Sequence, residues 1–119
     1  MKISNLLLPA LMLMCQSAWS GQELYKSNDL LEACQAYASA TGDKAKAETC
    51  AGFIMGIVDM HDILVSKGLI IEQWCTPKDV TLDQLIQATL DYMVTQPDKL
   101  DSGAASMVAN ALYKTFRCR

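Results

Sequence analysis

The stretch Cys50–Asp62, CAGFIMGIVDMHD, constrains the fold of this chain more than any other. From Cys50 to Val58 it has no strongly polar residue; it then turns polar at Asp59, His61 and Asp62. Read as a helix, it presents the faces Cys50/Ile54/Ile57/Val58/His61 and Phe53/Ile57/Met60/Leu64. A helix that is apolar nearly all round is normally buried on most sides. Gly52 and Gly56, one turn apart, each cost roughly 1 kcal/mol against alanine in a helix interior. Close approach of a neighbouring backbone across the Gly52/Gly56 groove is the expected compensation. A glycine pair at this spacing also marks membrane helix dimers, but the apolar run is too short to span a bilayer.

The first twenty residues read as a separate segment. Lys2 is a short positive region, Ile3–Met14 an apolar core, and Ala18-Trp19-Ser20 puts small residues at −3 and −1. This predicts a secretory signal over 1–20, with cleavage before Gly21. A lipoprotein signal ending at Cys15 fits less well, because Met14 stands where a small residue is wanted. No second segment reads as a membrane span. Cleavage removes Lys2 and no acid, so ten basic residues become nine against thirteen acidic ones, a net charge of −4. It also removes Cys15, and five cysteines become four. An even count in an exported chain reads as a disulfide framework. Residues 21–119 then form a single small domain, of a size at which covalent staples help.

The elements follow in order. Ser27-Asn28-Asp29 supplies an N-cap, and Leu30/Leu31/Cys34/Tyr37/Ala38 has helical spacing, so a first helix is expected over about 29–40. Thr41-Gly42-Asp43 stops it, with Gly42 as a C′ residue. The second helix starts near Lys44–Ala47 and runs to about Ser66, ended by Gly68. Val80-Thr81-Leu82-Asp83-Gln84-Leu85 is the strongest local signal: Thr81 and Gln84 make a capping box, and Val80 and Leu85 a hydrophobic staple. The third helix runs to about Thr95 and buries Leu82, Leu85, Ile86, Thr89, Leu90 and Met93. Gln96-Pro97 breaks the chain. The fourth helix runs from Pro97 or Asp98 to near Phe116, with Gly103 placed to bend or split it. No stretch alternates with period two, so the fold class is all-α: a small four-helix bundle, five if the last helix splits, stapled by disulfides.

The cysteines fit that layout. Cys34 lies about two turns before the Thr41–Asp43 turn and Cys50 about two turns after it, so they face each other in an antiparallel hairpin. Cys75 opens the approach to the third helix and Cys118 closes the fourth. Of three possible pairings, Cys34–Cys50 with Cys75–Cys118 is the one these positions favour. Loop entropy makes them worth roughly 3 and 4 kcal/mol. No CxxC or CxxH spacing supports zinc.

Catalytic chemistry is sparse. His61 is the sole histidine. The cysteines are better used as disulfides, and no strand–GxSxG–helix context offers a serine nucleophile. Asp59 and Asp62 are i,i+3 neighbours beside His61 and read as a solvated helix end rather than a metal-touching pair. No phosphate loop is present, and the acidic balance with few arginines argues against nucleic acid. By elimination the chain is a binding or structural protein, not an enzyme, with no cofactor and no metal.

The landmarks together resemble a known family. A cysteine in the first helix is followed by Cys50-Ala51-Gly52-Phe53-Ile54-Met55-Gly56-Ile57-Val58-Asp59 and by Cys75-Thr76-Pro77. Then come Val80–Leu85, a Gln96-Pro97-Asp98 turn, Ala111-Leu112 and Phe116-Arg117-Cys118. In this order and spacing they are similar to the Rap/Tai-type immunity proteins of type VI secretion systems, over nearly all of residues 21–119. Two departures stand out: Arg117 stands where proline is often expected before the last cysteine, and Gly68–Trp74 is unusually apolar. The resemblance implies a small helical periplasmic inhibitor that protects the cell from a peptidoglycan amidase injected by sister cells. Such toxins are cysteine–histidine hydrolases, and the inhibitor fills the substrate cleft, often as a homodimer. An acid-stress chaperone of the HdeA type is the alternative of another class.

An inhibitor of that kind needs a protruding segment with apolar anchors. The Gly68–Trp74 segment is the candidate: Gly68 frees the chain, Ile70, Ile71 and Trp74 are its anchors, and Glu72 meets a basic rim. These residues would otherwise cover the end of the bundle or make a dimer contact. The Thr41–Lys46 and Thr95–Lys99 turns are the rival sites, expected to share the opposite end of the bundle.

Overall fold

A computed structural model describes residues 22–119 of the chain. The signal segment over 1–20, and cleavage before Gly21, lie outside the described residues. Four α-helices follow in order: α1 (Ser27–Ala38), α2 (Lys44–Ser66), α3 (Leu82–Val94) and α4 (Ala104–Thr115), with a 3-10 turn at Pro97–Lys99. No strand occurs among the described residues, and the bundle is all-α. α1 and α2 form one hairpin, and α3 and α4 pack against it around Leu30, Ile54, Ile86, Met93, Val108 and Leu112.

Cys34 and Cys50 are bonded across the first hairpin, and Cys75 and Cys118 tie the approach to α3 to the tail after α4. The first pair is wholly buried, whereas Cys118 is exposed. Tyr37 donates its phenol hydrogen bond to the Asp83 carboxylate, linking α1 to the start of α3. That bond to a carboxylate pushes the phenol pKa above its ordinary value.

Local chemistry accounts for three of the helix ends. At α3 the Thr81 hydroxyl accepts from the Gln84 N–H at 3.2 Å, while the Gln84 side chain accepts from the Thr81 N–H at 2.9 Å. α2 begins on Asp43, whose carboxylate accepts from the Lys46 N–H at 3.0 Å. It ends on Gly68, at a φ of 69°. There Leu69 N–H donates to Leu64 O and Gly68 N–H to Val65 O, the two-bond closure that favours glycine at this position.

Other ends differ from expectation. α1 starts at Ser27 without a side-chain cap. The Ser27 hydroxyl donates instead to the Gly103 carbonyl, and the Ser27 N–H to Ser102 O. α1 also stops at Ala38, before Gly42. Gly42 is not left-handed; a Cβ there would lie 2.2 Å from the Ala36 carbonyl oxygen, so close approach is what requires glycine. The last helix does split. Pro97–Lys99 keeps one tight turn, and Gly103, with extended backbone, precedes α4. Glu23 from the lead segment closes the open start of α4, accepting from the Ser106 N–H at 2.7 Å and from its hydroxyl. A Cβ on Gly103 would strike that Glu23 side chain.

The Gly52/Gly56 groove is the main correction. A Cβ at either glycine would meet no atom within 4 Å, so no backbone crosses there. α2 buries only Cys50, Ile54 and His61, while Gly52, Met55, Gly56, Met60 and Ile63 are exposed. By length and composition α2 passes as a membrane span, which the sequence reading denied it. Its buried face and its disulfide to α1 hold it in the bundle.

The two rival turns do not share an end. Ser27 and Asn28 N–H groups donate to Ser102 and Leu100 carbonyls, placing the connection after α3 at the start of α1. The Thr41–Lys46 turn lies beyond the other end of α1, whose 12 residues span about 18 Å.

Candidate functional site

The chain from Gly68 to Cys75 has no regular secondary structure after its turn. It is a strap, folded back along the second half of α2. Two anchors hold it. At its end, the Cys75 N–H donates to Phe116 O at 2.7 Å, beside the Cys75–Cys118 disulfide. In its middle, the Gln73 N–H donates to Nε2 of His61 at 3.0 Å.

His61 was expected in a solvated helix end. It is instead 5 % exposed, because it continues the Cys50/Ile54/Ile57 face into the core. Its ring stacks on Trp74 with centroids 3.8 Å apart and planes 19° from parallel. Nδ1 lies 3.0 Å from Asp62 Oδ1. Asp59 and Asp62 are exposed, as expected of them.

The four strap residues predicted as contacts therefore separate. Ile71 is 83 % exposed, and Glu72 is exposed beside it. Ile70 is half turned into a groove of about 340 Å³ whose walls include Ile57, Leu64, Trp74 and Ala109. Trp74, predicted as a surface anchor, is 5 % exposed and belongs to the core. It fixes the strap from beneath rather than presenting itself to a partner. Its Nε1 is buried without a hydrogen-bond partner. Leu69, not singled out from the sequence, is exposed next to the strap's start.

The exposed part of the strap is thus a short apolar and acidic segment, Leu69–Glu72, on a rigid base. That arrangement suits insertion into a partner: the anchors beneath it lower the ordering cost of binding. It does not suit catalysis. The one imidazole has both nitrogens engaged and its face covered. Glu72, Cys75 and Cys118 place possible ligand atoms within 4.8 Å of one another, but both sulfurs belong to the disulfide and have no thiolate to offer a metal. The missed residue, His61, had its signal in the sequence: it lies on the same helical face as Cys50 and Ile54.

A family model described as Rap1a immunity proteins matches residues 26–118. Comparison with curated proteins found no match.

Proposed function

The chain belongs to the Rap1a immunity protein family, and from that premise we propose that it binds and inhibits a cognate type VI secretion effector, a peptidoglycan amidase, in the periplasm. The family match is the observation that carries the immunity role. Two disulfides support an exported, oxidising location, to which the signal segment over 1–20 would deliver a single domain, 21–119. The protein acts by occupancy and performs no turnover of its own. A homodimer belongs to the same reading, and exposed Met60 and Ile63 on α2 offer it apolar surface. The family match leaves the acid-stress chaperone without support.

Within this reading the effector contact is the exposed strap, Ile70, Ile71 and Glu72, with Trp74 beneath as its support. A hydrophobic tip flanked by a carboxylate fits a substrate cleft with a basic rim, and the acidic net charge steers the approach. The test is the double substitution Ile71→Ser with Glu72→Lys. Both side chains are exposed, so folding and oligomeric state should stay as in the parent. Inhibition of an amidase captured from periplasm should weaken by about tenfold or more, as for loss of a hot-spot residue. A variant that folds normally and protects as well as the parent removes the strap from the interface and points to the Thr41–Lys46 or Thr95–Lys99 turns.

A further inference from the structure

The hydrogen bonds around His61 admit one protonation state. The Gln73 N–H donates to Nε2, so Nε2 offers a lone pair and holds no proton. The proton of the neutral ring is then on Nδ1, which donates to Asp62. The next strap residue, Trp74, covers the ring face. Two consecutive residues of the strap thus depend on one buried imidazole, and one of them depends on its being neutral.

Asp62 on α2 touches Nδ1. Glu23 from the lead segment lines the same groove, with its carboxylate held by Ser106. On the strap itself Glu72 precedes Gln73. From α4 the groove takes Ala105, Ser106 and Ala109, none of which titrates.

We propose that His61 is a pH-gated latch on the strap: neutral, it holds Gln73 and Trp74 so that Ile71 and Glu72 are presented; a second proton, on Nε2, sets N–H against N–H and releases the segment. Histidine is the side chain whose charge ordinarily changes between about pH 5 and 8, so that is the range over which the latch is tested. The consequence for inhibition rests on the strap being the effector contact. The latch itself is a property of the free chain.

The experiment uses the exported, disulfide-intact chain labelled with 15N. Ring nitrogen shifts report the tautomer, and amide exchange gives the protection factor of Gln73 between pH 8 and 5, with Thr89 as a core reference. The expected result is an unprotonated Nε2 at pH 8. As the ring takes up its second proton, protection at Gln73 should fall at least tenfold while Thr89 holds. His61→Gln is the second arm, since its side-chain carbonyl can accept from the Gln73 N–H and does not titrate; its protection should stay level across the range. Protection at Gln73 that is unchanged through the titration of the ring overturns the latch, as does the same loss in His61→Gln. Amidase affinity measured in parallel separates the two ideas. Opening at Gln73 with no change in affinity upholds the latch and removes the strap from the interface. A strap variant that loses inhibition at pH 8, in a chain whose Gln73 never opens, does the reverse.

Discussion

Alanine at both Gly52 and Gly56 should make the protein more stable. A Cβ at either site meets nothing within 4 Å, and neither glycine has a positive φ. No contact is therefore lost and no strain introduced. What changes is the unfolded chain, which has less backbone freedom to lose when glycine is replaced. In a helix interior that difference is about 0.5–1 kcal/mol per site, so the pair should contribute about 1–2 kcal/mol. For a domain near a hundred residues, 1 kcal/mol moves Tm by roughly 4–8 °C, and the double variant should melt about 4–16 °C higher. The assay is thermal circular dichroism with disulfides intact, at a dilution where light scattering gives a monomer. Gly56→Leu is the sharper arm. In a tight groove its extra bulk would cost about 1–3 kcal/mol; on an open face it should melt no lower than the parent. A lower Tm for either variant would refute the open face and mean that something packs against these glycines in solution.

Two further outcomes test the framework. Gly103→Ala displaces Glu23 from the start of α4 and should cost about 1–2 kcal/mol in urea unfolding, Glu23→Ala about 1 kcal/mol. The two losses should not add, because the alanine at 103 acts through the Glu23 side chain; full additivity would sink that account. Mass mapping of the mature chain, cleaved before Gly21, should find no free thiol and the pairs Cys34–Cys50 and Cys75–Cys118. Under graded reductant the pair with exposed Cys118 should open before the buried one, and a free thiol, a bound zinc or the reverse order would contradict this.

The parts of the fold legible in the sequence are those set by neighbours along the chain. The Thr81/Gln84 capping box is complete within four residues, and it fixes the start of α3. Gly68 ends α2: its N–H bonds the carbonyl three residues back, and the Leu69 N–H the carbonyl five back. The α1 start was misread because its partners are remote: Ser27 bonds to Ser102 and Gly103, about 75 residues on. Burial of α2 failed for a geometric reason. α2 has 23 residues and α1 only 12, about 35 Å against 18 Å. Half of α2 outruns its hairpin partner, and the two remaining helices cover one side only. An apolar composition says that a helix can be buried; the lengths of its neighbours decide how much of it is.

The same limit governs the site. Composition alone marked Gly68–Trp74 as unusual, but nothing local decides which of its apolar side chains turns inward. That choice follows from a contact twelve residues apart, Gln73 to His61. Once that bond holds the backbone at 73, Trp74 lies over the imidazole and Ile71 is left outside. The histidine was visible on the buried face of α2, and the tryptophan was visible beside Cys75. Their pairing was not, because a single buried imidazole needs a partner and several donors along the chain would serve. A strap of this kind is held at few points, so its geometry depends on each of them. The half that a partner would meet, Ile71 and Glu72, makes no packing contribution comparable to Trp74, and it can change without disturbing the bundle. Separation of a buried support from an exposed tip leaves the tip free to change, and it ties the tip's position to the Gln73–His61 bond and the Trp74 stack beneath it.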